Sequence, residues 1–87
     1  PDDGTVWLIF ANLKARQGQN DEALDAYLRA QALLPDSPEV DYNLGLLYFK
    51  TGRYEKALSH ARKAYASGYP LQGLRRKLSD KGYDVGE

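Results

Sequence analysis

The stretch PEVDYNLGLLYFKTGRYEKALSHARKAYASGYP, residues 38–70, decides the fold, because residues 4–35, GTVWLIFANLKARQGQNDEALDAYLRAQALLP, are a second version of it displaced by 34 positions. Overlaying the two puts Val6 on Val40, Leu13 on Leu47, Gly18 on Gly52 and Ala23 on Ala57. Leu24 falls on Leu58, Ala30 on Ala64 and Ala32 on Ala66, and the large-then-small pair Phe10-Ala11 falls on Leu44-Gly45. These matches sit on Gly, Ala and Leu, where close helix packing is most exacting, so the chain reads as an internal repeat.

Each copy reads as two helices. In the first, Trp7, Phe10, Ala11, Leu13 and Lys14 recur at helical spacing, which predicts a helix over about residues 4–17 that Gly18 stops. Asn20 is expected to cap the next helix, with Asp21 and Glu22 in its first turn, and Pro35 ends it at Leu34. In the second copy Ser37 caps, Pro38 takes the first helical position, and Gly52 and Gly68 stop the two helices. A fifth helix is predicted from Pro70 to about Lys81, with Leu74 and Leu78 packing mainly on the helix before it. Residues 83–87 are expected to fray.

Composition bounds the rest. With 87 residues the chain holds one domain with a small core. No apolar run reaches the ~18 residues that a membrane-spanning helix needs. There is no cysteine, which excludes disulfides and thiolate metal sites. The net charge is zero, but residues 1–50 carry 4 basic and 8 acidic side chains and residues 51–87 carry 8 basic and 4 acidic. Such a split fits an acidic partner near the C-terminal end, head-to-tail pairing of modules, or equally charges that fall unevenly on solvated faces. The opening Pro1-Asp2-Asp3-Gly4 has no signal-peptide build and the chain has no Met, so it reads as an excised or processed domain.

Over about residues 4–71 the chain resembles the tetratricopeptide repeat (TPR) family, whose pattern is Trp-x2-Leu-Gly-x2-Tyr, Ala-x3-Phe-x2-Ala and Pro. The first copy supplies Trp7, Phe10, Ala11, Ala23, Tyr27, Ala30 and Pro35 and departs at Lys14. The second supplies Leu44, Gly45, Tyr48, Ala57 and Ala64 and departs at Asp41, Ala61 and Tyr69. The resemblance implies an all-α, right-handed α-α superhelix in one domain over 1–87. Repeat one would cover about 4–37, repeat two about 38–71, a capping helix about 70–82 and a tail 83–87. It implies a protein–protein interaction module without catalysis or cofactor; a structural or oligomerisation scaffold, or a segment of a larger assembly or enzyme, is the alternative. The residues do not fix a compartment; the closing segment from Gly68 to Tyr83 resembles that of bacterial TPR proteins, which points to a soluble protein of the bacterial cytoplasm or periplasm.

The resemblance also implies an inner concave surface lined by the first helix of each repeat. That surface would hold Leu8, Asn12 and Arg16 from repeat one and Tyr42, Asn43, Leu46, Phe49 and Lys50 from repeat two. Leu8, Tyr42, Leu46 and Phe49 are expected to form an exposed apolar strip, Asn12 and Asn43 to bond a peptide backbone, and Arg16 and Lys50 to favour an acidic residue in the ligand. A subclass of the family grips a C-terminal carboxylate with five polar residues; here Asn12, Asn43 and Lys77 match, while Leu8 and Gly73 do not. Self-association is a further expected partner mode.

No other cluster carries chemistry. His60 is the only histidine, expected to face outward, and adjacent Ser59 and His60 point in different directions on a helix, so neither a nucleophile–base pair nor a metal site is expected. Trp7 is expected in the core. The basic run Arg75-Arg76-Lys77 with Lys81 has no aromatics interleaved in sequence, which disfavours nucleic acid and favours a solvated cap face.

Overall fold

The structure is a computed structural model that describes residues 3–86. Five helices follow in order: α1 (Gly4–Arg16), α2 (Asn20–Leu33), α3 (Pro38–Lys50), α4 (Tyr54–Ala66) and α5 (Gly73–Asp80), and no strand occurs among the described residues. α1 pairs with α2 and α3 with α4 as two hairpins, the second stacks on the first through α2 and α3, and α5 closes the far end against both α3 and α4.

Four of the five helices end alike. After α1, the Gly18 N–H donates to Ala15 O at 3.1 Å and the Gln19 N–H to Lys14 O at 3.0 Å, with Gly18 at φ 76°. The same pair of bonds recurs around Gly52, Gly68 and Gly82, each with positive φ, and satisfies carbonyls the helix end would otherwise orphan. Only α2 ends without glycine, stopped before Pro35 as its sequence predicts. The starts are less uniform. Asp3 Oδ1 accepts from Thr5 N–H at 2.9 Å and Ser37 Oγ from Val40 N–H at 3.3 Å, with Pro38 in the first turn. Asn20, expected as a cap, is instead the first helical residue; Gln19 holds the cap position, and Asn20 Oδ1 is buried without a partner.

The core is thin and lies along the helix crossings. Ala11 and Ala23 in the first hairpin, and Gly45 and Ala57 in the second, are fully covered, which lets the helices nearly touch. A Cβ on Gly45 would stand 2.5 Å from Leu74 Cδ2 and 3.4 Å from Ala57 O, so α4 and α5 both press on this one position. Leu44, Leu74, Leu78 and Val40 are the largest side chains fully removed from solvent.

Three expectations need correction here. α5 begins at Gly73, not Pro70, because two phenols take over its first turn: Tyr42 Oη accepts from the Leu74 N–H and Tyr65 Oη from the Arg75 N–H, both at 3.2 Å, while Tyr65 O–H donates to Leu71 O at 2.7 Å. The described part of the tail packs instead of fraying: Val85 is buried, Tyr83 lies 5.8 Å from the Tyr54 ring, and Arg62 donates to Asp84 O at 3.1 Å. His60 does not face outward. Its Nδ1 lies 2.8 Å from Asp41 Oδ1, and its ring stacks on Tyr48 at 5.5 Å. Asp41, standing where the family pattern has Trp, is the one buried charged residue among the described residues and also accepts from Gln31 Nε2 at 3.1 Å. It joins α2, α3 and α4 through hydrogen bonds in place of the area a Trp would bury.

Candidate functional site

α1 and α3 run side by side and leave a cleft of about 280 Å³ lined by Asn12, Ala15, Arg16, Tyr27, Asn43, Leu46, Leu47 and Lys50. Five of the eight residues expected on the concave surface thus meet in one place: Asn12, Arg16, Asn43, Leu46 and Lys50. Leu46, Leu47 and Ala15 give the cleft its apolar wall.

The two amides are held in opposite senses. Tyr27, rising from α2 between the two helices, donates its O–H to Asn12 Oδ1 at 2.5 Å, which leaves the Asn12 N–H groups as the free donors. Asn43 Nδ2 donates to Glu39 O at 3.0 Å, one turn back on α3, which leaves Asn43 Oδ1 as an acceptor. Burial raises the Tyr27 hydroxyl to about 12, with Arg16 pulling the other way and Glu39 adding to the rise. The hydroxyl therefore stays a proton donor, and the Asn12 orientation is fixed. Arg16 and Lys50 are exposed at the C-terminal ends of α1 and α3; Lys50 Nζ also donates to Ala15 O at 3.3 Å, tying the two ends together. Both charged residues that line the cleft, Arg16 and Lys50, are basic.

The other three residues are elsewhere, and the exposed strip of four apolar side chains does not form. Leu8 is only 7% exposed and belongs to the core. Tyr42 is 6% exposed, its ring 4.5 Å from that of Tyr69 and its hydroxyl capping α5. Phe49 is half-buried, 5.0 Å from the Tyr54 ring, with Lys77 Nζ 5.9 Å from its centroid. For Tyr42 the physical reason is α5 and the segment leading to it, whose Leu74 N–H and Tyr69 ring take its hydroxyl and its face, while Phe49 packs against Tyr54 of α4 and Lys77 of α5. This also explains Gly73 at a clamp position: a Cβ there would come within 3.1 Å of Tyr42 Oη. Lys77 reaches the Phe49 ring rather than the Asn12–Asn43 cleft.

Tyr27, matched above only to the family pattern, lines the cleft although the expected concave surface did not include it. The available signal was its hydroxyl: a tyrosine at a position that only needs volume must still find a hydrogen-bond partner when buried. Trp7, expected in the core, is half-buried instead, edge-on to Phe10 at 6.1 Å with Arg29 4.8 Å above it. The basic run of α5 does gain aromatic neighbours in space: Arg75 lies 4.5 Å from the Tyr65 ring and Lys81 5.8 Å from that of Tyr54. Among the described residues no cluster of His, Asp and Glu is arranged to hold a metal ion, and no helix is long and apolar enough to cross a membrane.

Two stacked helical hairpins with a closing helix, small residues at each crossing and a cleft between first helices define a repeat protein of the protein-binding kind. The chain belongs to the tetratricopeptide repeat family, whose profile matches residues 10–70. It is similar to the peroxisomal targeting signal receptor of Candida albicans, 35% identical over 60 residues, which cover 69% of this chain and 10% of that protein. The chain thus spans about a tenth of the length of that receptor.

Proposed function

We propose that the α1–α3 cleft holds a short, extended segment of a partner protein that carries at least one acidic residue. The observation behind this reading is the fixed opposition of the two amides: Asn12 offers N–H donors and Asn43 an oxygen acceptor on facing walls of one cleft. One peptide unit of a ligand offers the matching carbonyl and N–H, so the pair selects main chain and sets its direction. Arg16 and Lys50 then favour a carboxylate at one end, and Leu46 and Leu47 supply apolar contact. The Candida albicans relative is, by its name, a receptor for a targeting signal, and holding a segment of another protein is a role of that kind. A cleft this short buries little area, so binding is of micromolar class.

The test is a peptide array of apolar-acidic sequences followed by anisotropy titration of the best binder. Asn43→Ala and Arg16→Glu each weaken the binder roughly tenfold, the loss of about 1.4 kcal/mol expected for one polar contact, while the melting temperature stays put. Binding unchanged in both variants would place the ligand elsewhere.

A further inference from the structure

The polar groups of the α1–α3 cleft stand at set distances from one another. Each wall carries an asparagine and, further along its helix, a cation: Asn12 and Arg16 on α1, Asn43 and Lys50 on α3. The two cations share one end, because Lys50 Nζ donates at 3.3 Å to Ala15 O, the residue before Arg16. Arg16 follows Asn12 by four positions and Lys50 follows Asn43 by seven. At the helical rise of about 1.5 Å per residue, the cations lie about 6 Å and roughly 10 Å beyond the amides. Leu46 and Ala15 line the space between. Among the described residues the ion pairs are Lys14–Glu22 and His60–Asp41, so neither Arg16 nor Lys50 has a carboxylate partner. Lys50 spends one donor on Ala15 O and keeps two, which pins where its charge is offered.

We infer that the cleft selects its ligand by a spacing, an inference that rests on the peptide-binding role proposed for it. The acidic residue of the ligand stands two or three positions from the peptide unit held by Asn12 and Asn43, with an apolar residue between. An extended chain advances about 3.3 Å per residue, so a gap of about 6 to 10 Å is two or three residues long. An acid next to the held unit would lie against Leu46 and Ala15, losing water without gaining a partner. An acid four or more positions away would pass beyond the C-terminal ends of α1 and α3, and Lys50 could follow it only by giving up Ala15 O. The ligand class is therefore an extended segment with an apolar residue followed or preceded by an acid at this fixed distance, and not any acidic sequence.

Two scans of the best array peptide, read by fluorescence anisotropy, test this. In the first, each backbone nitrogen of the peptide is methylated in turn. One position should weaken binding roughly tenfold, and the Asn43→Ala protein should not sense that methyl group, which locates the held unit. In the second, every acid of the peptide is replaced by its amide and a single glutamate is then moved along it. Binding should be tightest with the glutamate two or three positions from the held unit, and other placements should cost about threefold to tenfold. Arg16 and Lys50 are exposed, so Arg16→Gln combined with Lys50→Gln should leave the fold and the first scan unchanged and erase the preference in the second. An optimum next to the held unit, or four or more positions from it, overturns the spacing and leaves the amide reading standing, as does a preference that the double variant keeps. If no methylation is felt through Asn43, the peptide-binding role of the cleft and the spacing fall together.

Discussion

At the scale of single residues, two buried polar groups carry more than their size suggests. Asp41 receives Gln31 from the first hairpin and His60 from α4, and each partner is itself partly buried. Asp41→Ala would strand both, and we expect a loss of about 1–3 kcal/mol in chemical denaturation; a neutral result would mean the cluster is solvated in solution. Tyr27 supplies a pH dependence. Its hydroxyl sits near 12 in the folded chain against an ordinary 10 when unfolded. Below pH 10 both states keep the proton and the folded state has its full stability. Between about pH 10 and 12 the unfolded chain ionises while the folded one resists, so stability falls, by up to roughly 3 kcal/mol for two pH units. Burial shifts Tyr65 and Tyr69 in the same direction. Tyr27→Phe should therefore flatten the alkaline limb of the stability curve without abolishing it, and an unchanged slope would remove Tyr27 from the account.

At the scale of elements, the glycine stops and the phenol caps make separable predictions. Gly52 ends α3 at φ 81° with nothing near its missing Cβ, so Gly52→Ala costs only backbone strain, about 1–2 kcal/mol, read from the denaturation midpoint. Gly45→Ala acts by the other route, pushing a methyl onto Leu74 at the meeting of α3, α4 and α5, and its cost of roughly 1–3 kcal/mol depends on how far Leu74 yields. Tyr42 belongs at this scale too. It was expected to touch a ligand, but its hydroxyl accepts the Leu74 N–H and its ring packs on Tyr65 and Tyr69. Tyr42→Ala should lower the melting temperature and loosen α5, whereas the binding variants in the cleft should not.

At the scale of the whole molecule, α5 and Val85 close the far end of the second hairpin. Removing residues 70–87 would uncover the far face of the second hairpin in a chain with little core to spare, and we expect unfolding or aggregation; a soluble monomer with the same melting temperature would deny α5 its closing role. The sequence by itself determined the five helices, their glycine stops and the small residues at each crossing. All of these follow from the 34-residue spacing and from local backbone and packing rules that each segment obeys wherever it lies. It also brought five cleft residues together, because one face of α1 and one face of α3 are read off the same periodicity. Only the tertiary structure decided which residues of those faces remain exposed. Leu8 and Tyr42 are covered, the tail is docked, His60 turns inward to Asp41, and Tyr27 fixes Asn12. Each of these depends on a residue 15 or more positions away meeting the first in space, and no local pattern encodes such a meeting.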